Sequence, residues 1–368
     1  MVRDIRIAIE MIPYSHHSIG KEEIRAVNEV LHSGCLTGGP KVPEFETKFA
    51  EYVGAKHAVA VNSCAAALYL AIKATFPGER IWIAIPALTY VATANAVILA
   101  GHIPVFCDVD PDTFCIDPAK IPNNVDGVIP VHYGGHPCDL DAIREDGEWV
   151  IIEDAAHACG AEYKGKKIGS INTTCFSFHP CKNMTTAEGG MITCQSDSLA
   201  EKFKRMRLNG ICKGFDGCKE VQNMVDWGFK FNMNEIQAAI GIEQLKKINW
   251  MNNQRGAIAL KYSLNYFGNP KIKVQACRND STPSRHLYPI LVENRDELAA
   301  YLKSKGIITA IHYKPVHLMT WYKEKFGYKE GDFPVAEEIA KHILSIPIYP
   351  DMTDEQVDYV IQAIKEAG

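Results

Sequence analysis

The chain has 368 residues, 47% hydrophobic and 23% charged, which is the composition of a folded globular protein and is long enough for two domains. A formal net charge of -5 predicts no electrostatic surface for a nucleic acid or an anionic membrane, so we expect neither as a partner. The sequence contains no uninterrupted run of about 18 apolar residues, so we predict no membrane-spanning helix.

The first part of the chain begins with an arm and two helices. Residues 1–20 are expected to be extended, and apolar residues recur at helical spacing in 21–33 and 43–53. From residue 57 onward, short apolar runs alternate with helical segments or loops. The predicted strands are 57–61, 81–85, 103–107, 127–131, 149–153, 174–178 and 190–194. Because these runs are apolar throughout, they predict an α/β fold with a mostly parallel seven-stranded sheet between helices.

The C-terminal part follows a different pattern. A long helix is predicted from about Asn234 toward residue 265, and shorter strands alternate with helices after it. These strands are predicted at 271–275, 286–292 and 307–313. We therefore expect a large domain over residues 1–254, including the arm, and a smaller α+β domain over 255–368.

Twelve cysteines are scattered over the chain, and no C-x-x-C pair predicts a metal site. Most of them lie within apolar runs, where a free thiol behaves as a small hydrophobic group. This pattern, and an N-terminus without the apolar core of a signal peptide, predict a protein of the reducing cytoplasm.

The stretch from Cys175 to Cys194 places one lysine, Lys182, in a loop between two apolar runs. A lysine in a partly enclosed pocket loses hydration, which lowers its pKa until the free amine can attack a carbonyl. The alternative for this stretch alone is an ordinary loop lysine. Lys182 is therefore a candidate Schiff-base nucleophile that needs partners elsewhere in the chain.

Three other strands end in residues that suit such partners. Asp154 and His157 follow the strand at 149–153, and a buried carboxylate there needs a cation such as a protonated pyridine nitrogen. Ser63 opens a helix whose small first-turn residues leave backbone N–H groups open to an anion. Tyr90 follows a third strand and could stack on a planar ring. Each has an alternative: a helix cap for the aspartate and the serine, and a core position for the tyrosine.

Together the four features are more specific than any one of them. An anion cradle, a stacking ring, an acid and a lysine occur in that order, each after a different strand. These are the parts needed to bind pyridoxal 5'-phosphate and to use it as an electron sink.

The chain resembles the DegT/StrS family of fold-type I, pyridoxal-phosphate-dependent nucleotide-sugar aminotransferases, from about Pro13 to Ala367. The segments that carry the resemblance include SGCLTGGPKVPEFE, NSCAAAL, PALTYVATANAV, PVHYGGHPCDLDAI, IEDAAHACGA, SFHPCKNMTTAEGG and FKFNMNEIQAAIG. Many spaced motifs in one order make a chance match improbable.

The resemblance implies roles for individual residues. Lys182 would form the internal aldimine and move protons, Asp154 would hold the pyridine nitrogen protonated, and His157 would face the ring hydroxyl. Tyr90 would stack on the ring. The phosphate would be held by Ser63, by the backbone of Cys64 and Ala65, and by Ser177. Because Cys64 and Ala65 replace the glycine and hydroxyl that many relatives have, more of the phosphate binding falls to the backbone and to Ser177.

The resemblance also implies a homodimer with shared active sites. Lys230 and Asn232 would reach the cofactor of the partner subunit. Many relatives have Asn and Arg at these two positions, and the Lys/Asn version is similar to a subgroup that acts at C4 of 4-keto-6-deoxy sugars. For the sugar we consider His312, Tyr313 and His317, together with Thr37 and Gly38, although a surface His-Tyr-Lys cluster is the alternative for the first group.

The predicted reaction is a ping-pong transamination from an amino acid, expected to be glutamate, to a nucleotide-linked 4-keto-6-deoxy sugar. A 3-keto-sugar aminotransferase, a sugar dehydratase and a regulatory protein of the same fold are the alternatives. Related dehydratases replace the lysine with histidine, so Lys182 argues against that reading.

Overall fold

A computed structural model describes residues 11–212 and 223–367, so the first ten residues of the predicted arm lie outside the described part. The α-helices are α1 Lys21–His32, α2 Lys41–Val53, α3 Cys64–Thr75, α4 Val91–Leu99, α5 Leu140–Glu145, α6 Asp197–Met206, α7 Glu235–Tyr266, α8 Arg295–Ser304, α9 Thr320–Phe326, α10 Pro334–His342 and α11 Asp354–Ala367. The strands are β1 His57–Val61, β2 Trp82–Pro86, β3 Ile103–Cys107, β4 Gly127–Val128, β5 Val150–Asp154, β6 Glu162–Tyr163, β7 Lys166–Lys167, β8 Thr173–Ser177, β9 Gly190–Cys194, β10 Ile211–Cys212, β11 Asn223–Met224, β12 Lys273–Val274, β13 Ser281–Thr282, β14 Tyr288–Leu291 and β15 Ile343–Ile346. None of the described helices is long and apolar enough to cross a membrane.

The centre of the molecule is a seven-stranded sheet in the order β1-β9-β8-β5-β4-β2-β3. All neighbouring strands from β8 through β5, β4 and β2 to β3 are parallel, whereas β9 is antiparallel to both β8 and β1. Parallel neighbours need a long crossover, and the loop 178–189 contains no helix to provide one, so β9 returns beside β8 in the opposite direction. The prediction of a mostly parallel α/β sheet is confirmed.

The sheet is apolar on both faces because helices cover both of them. Every residue of β9 is buried, and α3 packs against β8 and β9 with eight buried residues. The hydrophobic core around this sheet, here called the first core, includes Phe45, Phe49 and Phe176; the Phe49 ring meets each of the other two edge to face. The carboxyl ends of the parallel strands are left free to carry polar side chains.

Helix α7 spans 32 residues and begins with a capping box. The side chain of Asn234 accepts a hydrogen bond from the backbone N–H of Gln237 at 2.9 Å, and the Gln237 side chain accepts one from the N–H of Asn234 at 3.1 Å. The helix contributes Met251 to the first core and Ile258 to a second core. The predicted domain boundary at residue 254 falls between these two contributions and stays a prediction.

The second core lies under a three-stranded sheet in the order β12-β14-β15. The strand predicted at 307–313 is wrong. Its backbone changes partner halfway, because Ile307 bridges to Ile12 of the arm and Ala310 bridges to Ser345 of β15. No continuous ladder forms in this segment, and β15 is the strand that completes the sheet.

Candidate active site

Lys182 lies in the loop between β8 and β9. Its backbone N–H donates to the carbonyl oxygen of His179 at 2.9 Å, and Thr185 and Thr186 tie the same loop to the carbonyl oxygen of Phe178 at 3.0 Å each. Burial lowers the pKa of the Lys182 amine, and the negative charge of Asp154 offsets part of that shift. The loop therefore presents an amine that gives up its proton more easily than an exposed lysine, as a nucleophile or general base requires.

Asp154 ends β5, the strand next to β8 in the sheet. Its carboxylate is only 4% exposed and accepts hydrogen bonds from Thr93 Oγ1 at 2.7 Å and from the backbone N–H of Ala156 at 3.1 Å. Burial raises the pKa of this carboxyl group, and the nearby charge of Lys182 opposes that rise. The carboxylate is thus positioned by hydrogen bonds, and no residue within 11–212 or 223–367 forms an ion pair with it, so it suits a cationic ring nitrogen.

The predicted anion cradle lies where β1, β9 and β8 meet. Gly190 at the start of β9 pairs with Val61 of β1 on one side and with Ser177 of β8 on the other. A Cβ on Gly190 would lie 2.6 Å from the carbonyl carbon of Ser63, so the two backbones touch only because the residue is glycine. The antiparallel strand therefore brings the Ser63 turn and Ser177 together, although they are far apart in sequence.

The Ser63 turn opens α3. The Ser63 hydroxyl accepts from the backbone N–H of Ala66 at 3.1 Å, which caps the helix. The first N–H groups of a helix have no partner within it, and those of Cys64 and Ala65 occupy these positions. Ala65 is exposed, whereas Cys64 is buried and burial raises the pKa of its thiol. The cradle can thus bind an anion through backbone groups and the helix dipole.

A group of aromatic and histidine side chains borders the amine. His157 Nε2 lies 3.0 Å from the hydroxyl oxygen of Tyr313, whose ring centroid lies 5.8 Å from that of Tyr90. Burial lowers the pKa of His157 well below its usual value, and burial together with Lys182 lowers the pKa of His312 to about 4. His312 is held by Ser345 Oγ at 2.9 Å. The structure thus brings Tyr90, His157, His312 and Tyr313 into one group.

Lys230, Asn232 and Thr37 form a second group beside β1. The backbone carbonyl of Phe231 accepts from the N–H of Asn62 at 2.8 Å, which sets this segment along the edge of the sheet. Lys230 Nζ donates to Asn232 Oδ1, and Asn232 Nδ2 donates to Thr37 Oγ1 at 3.4 Å. Gly38 follows Thr37 with a left-handed backbone, φ 70°. The role expected of this group across a dimer interface stays a prediction.

His317 is the predicted site residue that the fold places elsewhere. Its side chain is fully buried, its Nε2 is 3.0 Å from Glu337 Oε1, and its ring packs against Phe333 and Phe106. A side chain enclosed in this way cannot touch a sugar, so we withdraw His317 as a substrate contact. The sequence around His317 does not predict this burial, because the residues that enclose its ring, Phe106 and Phe333, come from other segments of the chain.

The sequence analysis did not identify three residues that contact Asp154 or His157 at this site. Thr93 orients Asp154, His286 lies with its ring centroid 4.4 Å from that of His157, and Gly134 donates its backbone N–H to His157 Nδ1 at 3.3 Å. The HYGG stretch around Gly134 carried the signal of a tight turn, and Thr93 stands in the first turn of the helix after Tyr90. No signal in the sequence connects His286 with His157, because 129 residue positions separate them.

Comparisons with known proteins agree with this arrangement. The model of the DegT/DnrJ/EryC1/StrS aminotransferase family matches residues 17–365. The spore coat polysaccharide biosynthesis protein SpsC of Bacillus subtilis (strain 168) is 42% identical, with 96% of each chain covered. S. venezuelae DesV, solved in complex with a ketimine intermediate, is 33% identical with a TM-score of 0.91 over 97% of this chain and 98% of its own. Helicobacter pylori PseC, an aminotransferase involved in pseudoaminic acid biosynthesis, is 29% identical with a TM-score of 0.91 over 97% of this chain and 99% of its own. The resemblance read from the motifs is confirmed, and the chain belongs to the DegT/DnrJ/EryC1/StrS aminotransferase family.

Proposed function

We propose that this chain is a pyridoxal-phosphate-dependent aminotransferase that transfers an amino group from an amino acid, expected to be glutamate, to a nucleotide-linked 4-keto-6-deoxy sugar. The observation that carries the proposal is the desolvated amine of Lys182 within electrostatic reach of the buried carboxylate of Asp154. Membership of an aminotransferase family supports the reaction class. The role in polysaccharide biosynthesis named for SpsC supports a sugar as the acceptor.

The residues at the site fit pyridoxal phosphate at both of its ends. Asp154 would meet the pyridine nitrogen, whose positive charge would offset the cost of burying the carboxylate. The first turn of α3 and the hydroxyl of Ser177 would hold the phosphate, and the missing Cβ of Gly190 keeps the two close together. Tyr90 would cover a face of the ring. When bound, the cofactor supplies an electron sink for the negative charge left when a proton leaves the substrate carbon.

Lys182 would carry the proton transfers. Because burial lowers its pKa, part of the amine is unprotonated closer to neutral pH than in an exposed lysine. In the first half-reaction it would take a proton from the amine-bearing carbon of the donor, and in the second it would return a proton to the former keto carbon of the sugar. For the sugar itself we propose contacts with His312 and Tyr313 and with the loop of Thr37 and Gly38.

The proposal is tested by separating the two half-reactions. Purified holoenzyme is mixed with glutamate alone, and loss of its visible absorbance reports amino transfer from the donor. The aminated enzyme is then offered UDP-, dTDP- and GDP-linked 4-keto-6-deoxy sugars and the matching 3-keto sugars, and products are scored by mass spectrometry. Product from the 4-keto series only is expected. If only the 3-keto sugars give product, the enzyme aminates C3 and the proposed acceptor is wrong. If Lys182→Ala protein gives as much product as wild type, the proposed role of Lys182 is wrong.

We propose further that the protein is a homodimer in which each site uses Lys182 of one subunit and Lys230 with Asn232 of the other. In the described part of the chain, Met224 and Phe229 near this group are 66% and 49% exposed, which supports a protein partner there. A cytoplasmic location is also proposed. Cysteines described as free, among them the buried Cys115, Cys138 and Cys175, support a reducing compartment.

Subunit mixing tests the shared site. Lys182→Ala protein and Lys230→Ala/Asn232→Ala protein are each expected to be nearly inactive. After they are unfolded together and refolded, mixed dimers contain one site with both wild-type contributions, so activity returns. If activity stays absent although mixed dimers are detected by two affinity tags, the residues act within one subunit and the shared-site proposal is wrong.

A further inference from the structure

A backbone turn sets the proton on His157. Gly134 lies in the turn Tyr133–Gly135 with a left-handed backbone, φ 63°, and its N–H donates to His157 Nδ1 at 3.3 Å. A backbone N–H has only a proton to offer, so Nδ1 must be the acceptor and carries no proton of its own. The other contacts of the turn are also fixed, because the backbone N–H groups of Ser284 and Leu287 donate to the carbonyl oxygens of Gly135 and Gly134.

The neutral form of His157 has one proton, and the turn assigns it to Nε2. The side chain is 3% exposed, and burial, reinforced by the nearby amine of Lys182, disfavours the doubly protonated ring. Nε2 is 3.0 Å from the hydroxyl oxygen of Tyr313. His157 is therefore the donor of this hydrogen bond, and Tyr313 is the acceptor.

The hydroxyl group of Tyr313 consequently has its own proton free for another acceptor. Burial raises the pKa of this hydroxyl well above its usual value, so the proton stays on the oxygen at neutral pH. The Tyr313 ring stands next to the rings of Tyr90 and Tyr133, with centroids 5.8 and 6.4 Å away. The backbone before it is held because the Tyr133 hydroxyl donates to the carbonyl oxygen of His312. The donor is thus preorganised at the border of the site.

We infer that His157 is a positioning residue for Tyr313, and that Tyr313 rather than His157 donates the hydrogen bond to the ring hydroxyl oxygen of the bound cofactor. This inference rests on the proposed function, and it replaces the expectation that His157 meets that oxygen directly. It accounts for the proximity of His157 Nε2 and Tyr313 and for the orientation imposed by Gly134.

The first test measures the tautomer in the apoprotein, so it does not depend on turnover. Long-range ¹H–¹⁵N spectra of protein labelled at histidine are recorded at pH 7, and the His157 signals are assigned as those missing from His157→Gln protein. The expected result is a neutral ring with its proton on Nε2. A proton on Nδ1, or a doubly protonated ring, would overturn the inference even if the protein proves to be an active aminotransferase.

The second test follows the visible band of the holoenzyme against pH. A hydrogen bond donated to the ring oxygen stabilises its negative charge, so losing it is expected to raise the pH midpoint of the band by about one unit in Tyr313→Phe protein. His157→Leu should shift the midpoint in the same direction, and His157→Gln, which keeps an N–H donor, should restore most of it. Tyr322→Phe is the matched control, because it loses a buried tyrosine hydroxyl that contacts Asn95 instead.

The double variant Tyr313→Phe/His157→Leu decides between the two residues. If His157 acts through Tyr313, the double variant has the same midpoint as Tyr313→Phe alone. If the two single shifts add, His157 contacts the cofactor directly and the inference is wrong. An unchanged midpoint in Tyr313→Phe would also overturn it. A wild-type protein that develops no visible band with the cofactor would instead refute the proposed function, while the tautomer measurement would still stand.

Discussion

Gly190 and Ser63 are in backbone contact: a Cβ added to Gly190 would lie 2.6 Å from both the carbonyl carbon and the carbonyl oxygen of Ser63. This contact joins the start of β9 to the first turn of α3. Because both neighbours are backbone atoms, no side-chain rotation can relieve the clash that a larger residue would create. The close approach of these backbones, on which the proposed anion cradle depends, therefore requires the absence of one methyl group.

Gly190→Ala is expected to lower the free energy of unfolding by about 1–3 kcal/mol and to weaken cofactor binding, because Ser63 and Ser177 must move apart. Urea denaturation and titration with pyridoxal phosphate measure the two effects. Gly256→Ala is the matched control, since a Cβ there meets no described atom within 4 Å and lies within α7. It should stabilise the protein by about 0.5–1 kcal/mol, through helix propensity, with cofactor affinity unchanged. Equal cofactor affinity in Gly190→Ala protein would contradict this account of the cradle.

Lys182→Met is expected to reduce turnover by a factor of about 10³ or more, because the residue would supply both attachment and proton transfer. Although it lowers turnover, this substitution should not lower the free energy of unfolding. The amine has a lowered pKa in the folded protein, so folding weakens its hold on the proton; this penalty on folding is complete below the folded pKa and disappears as the pH rises through about 10.4, the unfolded value. Urea unfolding of the apoprotein at pH 7 should therefore find Lys182→Met at least as stable as wild type.

Chemical rescue separates the proton-transfer role of Lys182 from a structural one. Lys182→Ala protein is preloaded with the aminated cofactor and mixed with sugar in the presence of methylamine. A rate that rises in proportion to the free methylamine concentration would support a general base at this position. A rate that does not respond would point to a role in positioning only.

Asp154 should make the apoprotein less stable as the pH rises. Its pKa is raised in the folded protein, so the folded state holds a proton more tightly than the unfolded chain, whose aspartates titrate near 3.9. Stability contributed by this group is thus complete below about pH 3.9 and is lost as the pH rises through the folded pKa. The stability of wild-type apoprotein relative to Asp154→Asn should fall as the pH rises above about 3.9, as measured by urea unfolding.

Cofactor should reverse this trend, because a cationic ring nitrogen favours the ionised carboxylate of Asp154. The holoenzyme comparison is the internal control for the apoprotein comparison. Parallel pH profiles for wild type and Asp154→Asn in both states would mean that the carboxyl group does not carry a shifted pKa. A trend that persists in the holoenzyme would mean that the cofactor places no cation beside it.

Glu153, next to Asp154, is expected to be structural rather than catalytic. Its carboxylate is 1% exposed and accepts hydrogen bonds from His132 Nε2 at 2.7 Å, Asn172 Nδ2 at 2.7 Å and Thr174 Oγ1 at 3.4 Å. His132 is a donor here because its Nδ1 already accepts from the backbone N–H of Cys138 at 3.0 Å. Glu153→Gln places an amide against these donors and should cost about 1.5–3 kcal/mol of stability in urea.

The matched control for Glu153→Gln is Asp141→Asn. Asp141 pairs with Lys164 at 2.6 Å and with Arg144 at 3.3 Å, but its side chain is 40% exposed. An exposed pair contributes little because water screens it, so the urea midpoint should not change. A Glu153→Gln protein as stable as this control would show that the buried carboxylate is not needed by its three donors.

The local pattern of apolar residues in the sequence was enough to predict the strands of the central sheet and the residues at their ends. Seven apolar runs predicted the seven strands of the central sheet, and six of the seven predicted ranges agree with the observed strands to within a residue at each end; β4 is shorter than its predicted range. The period of apolar residues reports which faces are buried, and the carboxyl ends of parallel strands necessarily share one edge. Lys182, Asp154 and the Ser63 turn could therefore be selected as a set from their order alone.

Only the tertiary structure decided which side chains meet across long stretches of chain. His157 and Tyr313 are 156 residues apart in the sequence, and they meet because the chain near Tyr313 returns to pack against the first core. The same kind of packing encloses His317 between Glu337 and Phe333 and prevents a strand at 307–313. The periodicity of apolar residues predicts that a segment has a buried face, but it does not identify the residues that pack against that face. These outcomes depend on the particular neighbours that the fold supplies.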